Sequence, residues 1–489
     1  MVQLGLKITT TIFASIAMLC LWSMETNALP QNDLGFKDCF IMGLERQVKC
    51  LEFVVPENWD EPSGKQISLH MAVISASGGF SEPDPFILFA GGPGESAGDF
   101  GGLVARNFKK INERRDVILL DQRGTGKSTK LACNLSDIPI HEITDEKILE
   151  TITECRNGYD VDVRHFTTFD AIKDLEYVRE LLGVKQFNIW GGSYGTRIGL
   201  LYMKLHPEVI RTSILDGVAA PTEQLFANAS RDAERAYQLM VKDCETSNDC
   251  SVKFPTLRTD FLTFLERLDR SSIEVTYYDP YDMETVTFDM DRRSFVEIIR
   301  NTLYSASRTV ILPFVLNETF KGNYAPLMAL SLDGASMAGD SISMGLMLSV
   351  LCAEEIPRTN KVQLADVAAK SFHQDTFFKF FENACTGWPK KNVLDGYADD
   401  IRVDIPTLVF SGNLDPVTSP LSAEDSFDML TNALHFIVSG TGHGASSIAC
   451  GRTLMKDFIE SGLIDGLDGA CFDVPIRDAF ILGSTGSTP

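Results

Sequence analysis

The segment Gly191-Gly192-Ser193-Tyr194-Gly195 places a serine between glycines in a sharp turn, directly after a short apolar run. Residues 187–190 predict a buried strand, and residues 196–203 predict the helix that follows it. So tight a strand-to-helix turn needs glycines, because a side chain would collide with the neighbouring strand or helix. The turn exposes the Ser193 hydroxyl and aims the N–H of Tyr194 at the group that is attacked. The sequence therefore predicts that Ser193 is a nucleophile.

A serine hydroxyl is a weak nucleophile at neutral pH, so a base must come from elsewhere in the chain. Of the seven histidines, His443 has the most distinctive setting. It lies in the glycine-rich loop 440–444, directly after a predicted strand at 434–438. A structural role accounts for most of the others, such as His206 before a proline and His435 inside that strand. We therefore predict that His443 is the base.

A third group must orient the imidazole and stabilise its charged form. Asp415 closely follows the apolar run 406–412 and so lies at the C-terminal end of a predicted strand. The 28 positions from Asp415 to His443 leave room for one helix and one strand. Asp216 also ends a predicted strand and is the alternative acid. An ordinary turn aspartate before Pro416 is the structural alternative.

Attack on a carbonyl creates an oxyanion, which needs preorganised N–H donors. One donor is predicted to be Tyr194, the residue after the nucleophile. The glycine loop that follows the predicted strand 85–90 supplies the other, with Gly92 as first choice and Gly91 as second. The loop also resembles a degenerate dinucleotide-binding fingerprint, but Pro93 inside the turn argues against that interpretation.

The segment 121–128 imitates the end of a phosphate-binding P-loop. A P-loop requires glycine five residues before Gly126, and that position is Asp121. We therefore predict a structured turn after the strand at 116–120, without phosphate binding.

Taken together, these motifs resemble the prolyl and tripeptidyl aminopeptidase family of α/β-hydrolases. The resemblance spans roughly residues 50 to 470 and rests on segments 91–94, 121–128, 191–195, the Asp415 and His443 loops, and 442–446 with Cys450-Gly451. It implies an α/β-hydrolase fold with a mainly parallel sheet, and a triad in the order serine, acid, histidine. Ala90 departs from the family, since many members have histidine before the glycines.

Asp415 follows Ser193 by 222 positions, which is far more than a few strand–helix units require. The excess predicts an inserted, mainly helical cap at 219–400, between a first core part at 29–218 and a second at 401–489. Helical periodicity is seen in this insertion at 227–244, 256–268, 291–303 and 364–382.

The cap contains adjacent carboxylates, Glu354 and Glu355, beside Cys352. In related aminopeptidases, acidic cap residues hold the α-ammonium group of the substrate. The resemblance therefore implies that Glu354, with Glu355 as second choice, binds a substrate amine. A solvated acidic helix end is the structural alternative.

The 44 basic and 67 acidic residues give a net charge of −23. Nucleic acids and anionic membranes would be repelled by such a chain, so neither is expected as a partner. A zinc site is not expected, because the sequence has no C-x-x-C pair and no paired His spacing. The predicted serine chemistry implies no metal and no cofactor. Composition and spacing leave the oligomeric state open.

The N-terminus predicts export. Residues 11–22 form an apolar stretch too short to span a bilayer comfortably, and small residues precede a cleavage site after Ala28. We therefore predict a signal peptide at 1–28, with a retained membrane anchor as the alternative. Ten of the 11 cysteines remain after cleavage, an even set suited to an oxidising compartment. Proximity suggests the pairs Cys39–Cys50, Cys133–Cys155, Cys244–Cys250, Cys352–Cys385 and Cys450–Cys471.

These observations predict a secreted or periplasmic serine exopeptidase that cleaves peptides near a free N-terminus through an acyl-enzyme. An esterase or other small-molecule hydrolase would use the same triad. A catalytically inactive hydrolase fold that serves in binding is a third alternative, against which the complete triad argues. The size of the released fragment stays open between proline, another single residue and a tripeptide.

Overall fold

A sheet of nine strands runs through the residues that the computed structural model describes. Those residues are 34–133, 135, 138, 144–279, 283–338, 342–393, 396–397, 401–424, 427–472 and 478–486. The predicted signal peptide at 1–28 lies outside them. The strands are β1 (Lys37–Cys39), β2 (Val48–Pro56), β3 (Gln66–Ile74), β4 (Phe86–Phe89), β5 (Val117–Asp121), β6 (Phe187–Gly192), β7 (Ile210–Asp216), β8 (Ile273–Asp279), β9 (Glu284–Met290), β10 (Thr407–Gly412) and β11 (Ala433–Val438).

Helices cover the sheet and form most of the insertion between β7 and β10. They are α1 (Gly101–Leu103), α2 (Asp145–Gly158), α3 (Thr168–Leu181), α4 (Tyr194–Leu205), α5 (Leu225–Thr246), α6 (Asn248–Lys253), α7 (Leu257–Arg270), α8 (Arg292–Leu303), α9 (Ala306–Thr309), α10 (Leu312–Phe320), α11 (Ala325–Ala338), α12 (Met344–Val350), α13 (Lys361–Ala368), α14 (Thr376–Ala384), α15 (Pro420–Glu424) and α16 (Ala449–Ser461). In the described part of the chain, none of these helices is long and apolar enough to cross a membrane.

The nine strands of the sheet lie side by side in the order β1-β2-β3-β5-β4-β6-β7-β10-β11. In that order, neighbours from β1 to β5 are antiparallel and neighbours from β5 to β11 are parallel. Every residue of β4, β5 and β10 is buried. Parallel strands that are buried on both faces of the sheet need apolar side chains on both faces, which explains the continuous apolar runs in these strands. The predicted strands of the core and the mainly parallel α/β-hydrolase fold are confirmed.

The insertion differs from a purely helical cap in two respects. An antiparallel hairpin of β8 and β9, which helical periodicity did not predict, packs with α5, α7, α8 and α10 around a separate apolar cluster. The chain from α12 to α14 instead packs into the cluster beneath the central sheet. The insertion therefore has one part with its own core and another that shares the core of the sheet.

One predicted helix is wrong as a single element. The helix predicted at 364–382 is broken into α13 and α14, and Gln374 between them has a φ of 53°, which no helix accommodates. At the end of the chain, Phe480 and Leu482 pack into the same apolar cluster as the β8–β9 hairpin. The division of the chain into core and cap at 218 and at 400 stays a prediction.

Five cysteine pairs lie close enough to form disulfides, and they are the five pairs that proximity suggested. Their Cα atoms are 5.1 to 6.2 Å apart, within the range of disulfides. Cys352–Cys385 joins the chain after α12 to the end of α14 and so fixes the part of the insertion nearest the sheet.

We predict that the mature chain contains no free thiol, because each of its ten cysteines has a partner. Titration of the unfolded, unreduced protein with a thiol reagent measures this directly. A chain that retains Cys20 would show one thiol. Two or more reactive thiols in a chain cleaved after Ala28 would contradict the five pairings.

Candidate active site

Ser193 lies in a strained turn between β6 and α4. Its φ of 54° and ψ of −124° are unfavourable for a residue with a side chain, and α4 begins at the next residue. A Cβ on Gly195 would lie 2.1 Å from the carbonyl oxygen of Phe89, and one on Gly191 would lie 2.4 Å from that of Gly195. Glycine is therefore required on both sides of the turn. Donation from Ser193 N to the carbonyl of Asp216 (2.9 Å) ties the turn to the end of β7.

His443 and Asp415 are in direct contact. Nδ1 of His443 lies 2.8 Å from Oδ2 of Asp415, which is fully buried and also accepts bonds from Val417 N, Thr418 N and the Thr418 hydroxyl. Burial raises the pKa of Asp415, but the charge and hydrogen bond of His443 outweigh it and hold that pKa below its usual value. For His443, burial lowers the pKa, whereas the charge of Asp415 and its hydrogen bond raise it to about 9. Asp415 therefore lies where a carboxylate can orient the imidazole of His443.

Asp216, the alternative acid, has a different set of partners. Its carboxylate accepts bonds from Ala445 N (2.9 Å), Ser446 N (2.9 Å) and the Ser446 hydroxyl (2.5 Å). The adjacent Gly217 lies against the imidazole, since a Cβ there would be 3.3 Å from Cε1 of His443. Asp216 therefore anchors the loop that carries His443, while Asp415 contacts the ring itself.

The cap reaches His443 through Tyr304, just after α8. The His443 amide donates to the Tyr304 carbonyl (2.9 Å), and the two rings lie 5.4 Å apart between centroids. Arg300 in turn donates to the Tyr304 hydroxyl (3.0 Å). Sequence reasoning missed this contact, since nothing in the local pattern around Tyr304 distinguishes it from other cap residues.

The glycine loop after β4 passes directly beside Ser193. A Cβ on Gly91 would lie 3.1 Å from the Ser193 Cβ, and Gly92 has a φ of 101°, which favours glycine. The Gly91 amide already donates to Oε2 of Glu95 (3.0 Å), whereas the Gly92 amide has no partner among the described residues. Tyr194 is the first residue of α4, where a helix leaves its N–H groups unsatisfied. The structure thus leaves free the two amides predicted to hold an oxyanion.

The segment 121–128 is a structured turn, as the sequence predicted. Oδ1 of Asp121 accepts bonds from the Ser96 hydroxyl and Gly98 N, and Oδ2 accepts one from Lys127 N. A Cβ on Gly126 would lie 2.4 Å from the Asp121 carboxylate, so glycine is required there. This turn therefore supports the chain that follows the glycine loop.

Glu354 and Glu355 lie inside the protein. Glu354 is fully buried and accepts bonds from Thr168 N (2.7 Å), the Thr168 hydroxyl (2.7 Å) and the Tyr397 hydroxyl (2.9 Å). Burial raises its pKa. Glu355 is also buried and pairs with Arg197 (2.5 Å) and Arg358 (2.6 Å). A substrate amine could reach either carboxylate only by displacing these partners, so the predicted amine contact stays a prediction.

The bonds of Glu354 lead indirectly to the active site. The Thr168 hydroxyl, which donates to Glu354, lies 2.8 Å from the hydroxyl of Tyr194. The side chain of the residue after Ser193 is therefore fixed by a buried chain of polar groups that ends in the cap. We assign Glu354 to the support of the turn on this geometry.

The central part of the chain, residues 84–447, matches the family described as alpha/beta hydrolase fold, and the protein belongs to that family. Serine protease Hip1 of Mycobacterium tuberculosis is 25% identical over 456 residues, which cover 85% of each protein. The tripeptidyl aminopeptidase of Streptomyces lividans is 26% identical over 250 residues, which cover 46% of this chain and 47% of that protein. A crystal structure of proline iminopeptidase from Mycobacterium smegmatis superposes with a TM-score of 0.40 at 15% identity, covering 84% of this chain and 98% of that one. The family match and the two relatives compared by sequence agree with the family resemblance of the motifs, and the protein is a serine hydrolase.

We predict that Asp415→Asn lowers kcat by about 10⁴-fold, because an amide cannot stabilise the charged imidazole and favours the wrong tautomer. Asp216→Asn is expected to cost much less, since its carboxylate holds the loop and does not touch the ring. The kcat values of both variants with one substrate, beside circular dichroism to check folding, provide the test. A larger loss for Asp216→Asn would show that the acid was assigned wrongly.

The raised pKa of His443 predicts the pH dependence of the reaction. Only the neutral imidazole can accept a proton, so kcat/KM should rise as the pH increases towards about 9 and then level off. A pH series of kcat/KM with a substrate that does not ionise in this range measures the acid limb. A plateau already reached below pH 6 would contradict the assigned environment of His443.

Proposed function

We propose that this protein is a serine exopeptidase, which removes residues from the N-terminus of peptides through an acyl-enzyme. The observation that carries the proposal is the contact of Asp415 with His443. The imidazole lies against Gly217, and the adjacent Asp216 carbonyl accepts the amide of Ser193 in its strained turn. The relatives named as serine protease and tripeptidyl aminopeptidase support a peptide substrate.

In the proposed reaction, the Ser193 hydroxyl attacks the scissile carbonyl and His443 takes its proton. Asp415 stabilises the resulting imidazolium through Nδ1. The amides of Gly92 and Tyr194 bind the oxyanion, because Tyr194 follows Ser193 directly and Gly92 follows Gly91, which lies against Ser193. His443 then gives the proton to the leaving amine, which departs and leaves an ester on Ser193. Water hydrolyses that ester with His443 again as the base.

The cap supports an exopeptidase because it lies against the segments that would surround a substrate. The Ser343 amide donates to the Gly94 carbonyl (2.8 Å), and Tyr304 packs on His443 from another part of the cap. Such covering limits how much of a peptide can extend past Ser193. An esterase would use the same triad, so the substrate must be tested directly.

We also propose a secreted or periplasmic location. Five disulfide pairs support an oxidising compartment, where such bonds persist. Peptides with a free N-terminus are the proposed partners. The excess of acidic residues argues against nucleic acids and anionic membranes in the same role.

We predict that the purified protein hydrolyses peptides with a free N-terminus and is much slower on the same peptides after N-acetylation. Mass spectrometry of the products gives the size of the released fragment, and brief acid quenching gives the acyl-enzyme as a mass increase on the peptide that contains Ser193. Ser193→Ala should remove both the turnover and the adduct, with a loss of kcat of about 10⁶-fold.

Two outcomes would contradict this proposal. Equal rates on free and acetylated peptides would show that a free amine is not recognised. Hydrolysis of simple esters without any hydrolysis of peptides would establish the esterase alternative.

A further inference from the structure

Glu95 is a carboxylate beside the nucleophile that the proposed reaction does not use. It follows the glycine loop directly and is half-buried. A Cβ on Gly91 would lie 3.0 Å from Oε2 of Glu95 and 3.1 Å from the Cβ of Ser193. Those two atoms are therefore no farther apart than the sum of the two distances, about 6 Å. The charge of Glu95 also raises the pKa of His443, though less than the charge of Asp415 does.

The position of Glu95 is fixed from both sides. Its Oε2 atom accepts a hydrogen bond from Gly91 N (3.0 Å). The backbone of Glu95 pairs with that of Ile342 in the cap. The neighbouring bond from Ser343 N to the Gly94 carbonyl (2.8 Å) holds the same two segments together. The carboxylate is thus held in place before a substrate arrives, which lowers the entropy cost of binding.

This carboxylate has spare capacity for a ligand. A carboxylate offers about four acceptor positions, and Gly91 N occupies one of them. Over the described residues, no Lys, Arg or His forms an ion pair with Glu95.

We propose that Glu95 binds the α-ammonium group of the residue whose carbonyl Ser193 attacks, and so selects substrates from which a single N-terminal residue is released. The inference rests on the proposed exopeptidase function and names the substrate group and the residue that binds it. In the attacked substrate, four bonds lead from the Ser193 Cβ through Oγ, the carbonyl carbon and Cα to the amine. Four bonds of about 1.5 Å reach up to about 5 Å from the Ser193 Cβ, which is far enough for the amine to form an ion pair with a carboxylate oxygen that lies within about 6 Å of the same atom.

The same geometry argues against release of a tripeptide. There the free amine would lie two residues farther from the attacked carbonyl, up to about 7 Å more. Glu95 would then face an uncharged peptide N–H group, and its charge would remain without a partner. The location of the carboxylate therefore favours a free amine on the residue next to the scissile bond.

The test compares Glu95→Gln, Glu95→Ala and Asp99→Asn with the unaltered enzyme. Glutamine keeps an acceptor for Gly91 N but loses the charge, whereas alanine loses both. Asp99 is exposed, lies four residues away in the same segment, and serves as the control for removal of one negative charge. The substrates are alanyl arylamide and propionyl aryl ester, which lacks the amino group. The readout is the ratio of kcat/KM for the amine substrate to kcat/KM for the ester.

We expect Glu95→Gln to lower this ratio by about 10- to 100-fold, because a charge-assisted contact is lost for the amine alone. Asp99→Asn should leave the ratio unchanged. An unchanged ratio in Glu95→Gln, with equal losses on both substrates in Glu95→Ala, would overturn the proposal and leave Glu95 as a support for Gly91. Product analysis that shows tripeptides released by the unaltered enzyme would overturn it as well.

These failures differ from failure of the proposed function. If the unaltered enzyme hydrolyses no peptide with a free N-terminus, the exopeptidase proposal is wrong. If it hydrolyses such peptides and the ratio depends on Glu354→Gln but not on Glu95→Gln, the exopeptidase stands and the amine is bound in the cap.

Discussion

The end of β7 holds the two reacting segments in one place, and the rest of the site depends on it. The carbonyl of Asp216 accepts the Ser193 amide, and its carboxylate accepts the amides of Ala445 and Ser446 that follow His443. Serine and histidine come from opposite sides of a long insertion, so only a shared anchor can fix their separation. Asp216 is buried, and burial raises its pKa. A buried carboxylate without hydrogen bonds is costly, so each of these bonds stabilises its charged form.

The cap belongs to the site as much as the sheet does. The Tyr304 carbonyl accepts a hydrogen bond from the His443 amide. Ile342 pairs through its backbone with Glu95, which follows the glycine loop. Glu354 is connected to the Tyr194 hydroxyl through the hydroxyl of Thr168. Each contact joins the cap to a different catalytic segment. Movement of the cap would therefore disturb the base, the oxyanion loop and the serine turn together.

Buried ion pairs join helix α4 of the core to the cap. Arg197, on the helix that begins beside Ser193, pairs with Glu355 of the cap and lies 3.8 Å from Glu223. Burial raises the pKa of Glu223 to about 7, above its usual value. Removal of one partner from such a cluster leaves an unpaired buried charge, which is costly. The cluster thus fixes how the insertion packs on the core. Glu95, beside Ser193, does not belong to it and keeps free acceptor positions.

The sequence alone determined the elements whose chemistry is local. The turn around Ser193 needs glycines next to it, and the strands of the parallel sheet need apolar residues on both faces, so both patterns are visible in the chain. The predicted strands and the fold followed from such patterns, whereas the cysteine pairs were suggested by proximity along the chain alone. Helical periodicity located α5, α7 and α8, but it could not see the break at Gln374, because a single residue with positive φ leaves the apolar pattern intact.

Only the tertiary structure decided which of two aspartates touches His443, since Asp216 and Asp415 both end strands and look alike in sequence. It also decided whether the acidic residues of the cap are exposed or buried. Glu354 and Glu355 resemble exposed ligand groups, yet long-range contacts with Thr168, Tyr397 and two arginines bury them. Glu95 became visible as a neighbour of Ser193 only when β4 was placed beside β6. Contacts between distant segments depend on how the sheet is ordered, and no local pattern of residues encodes that order.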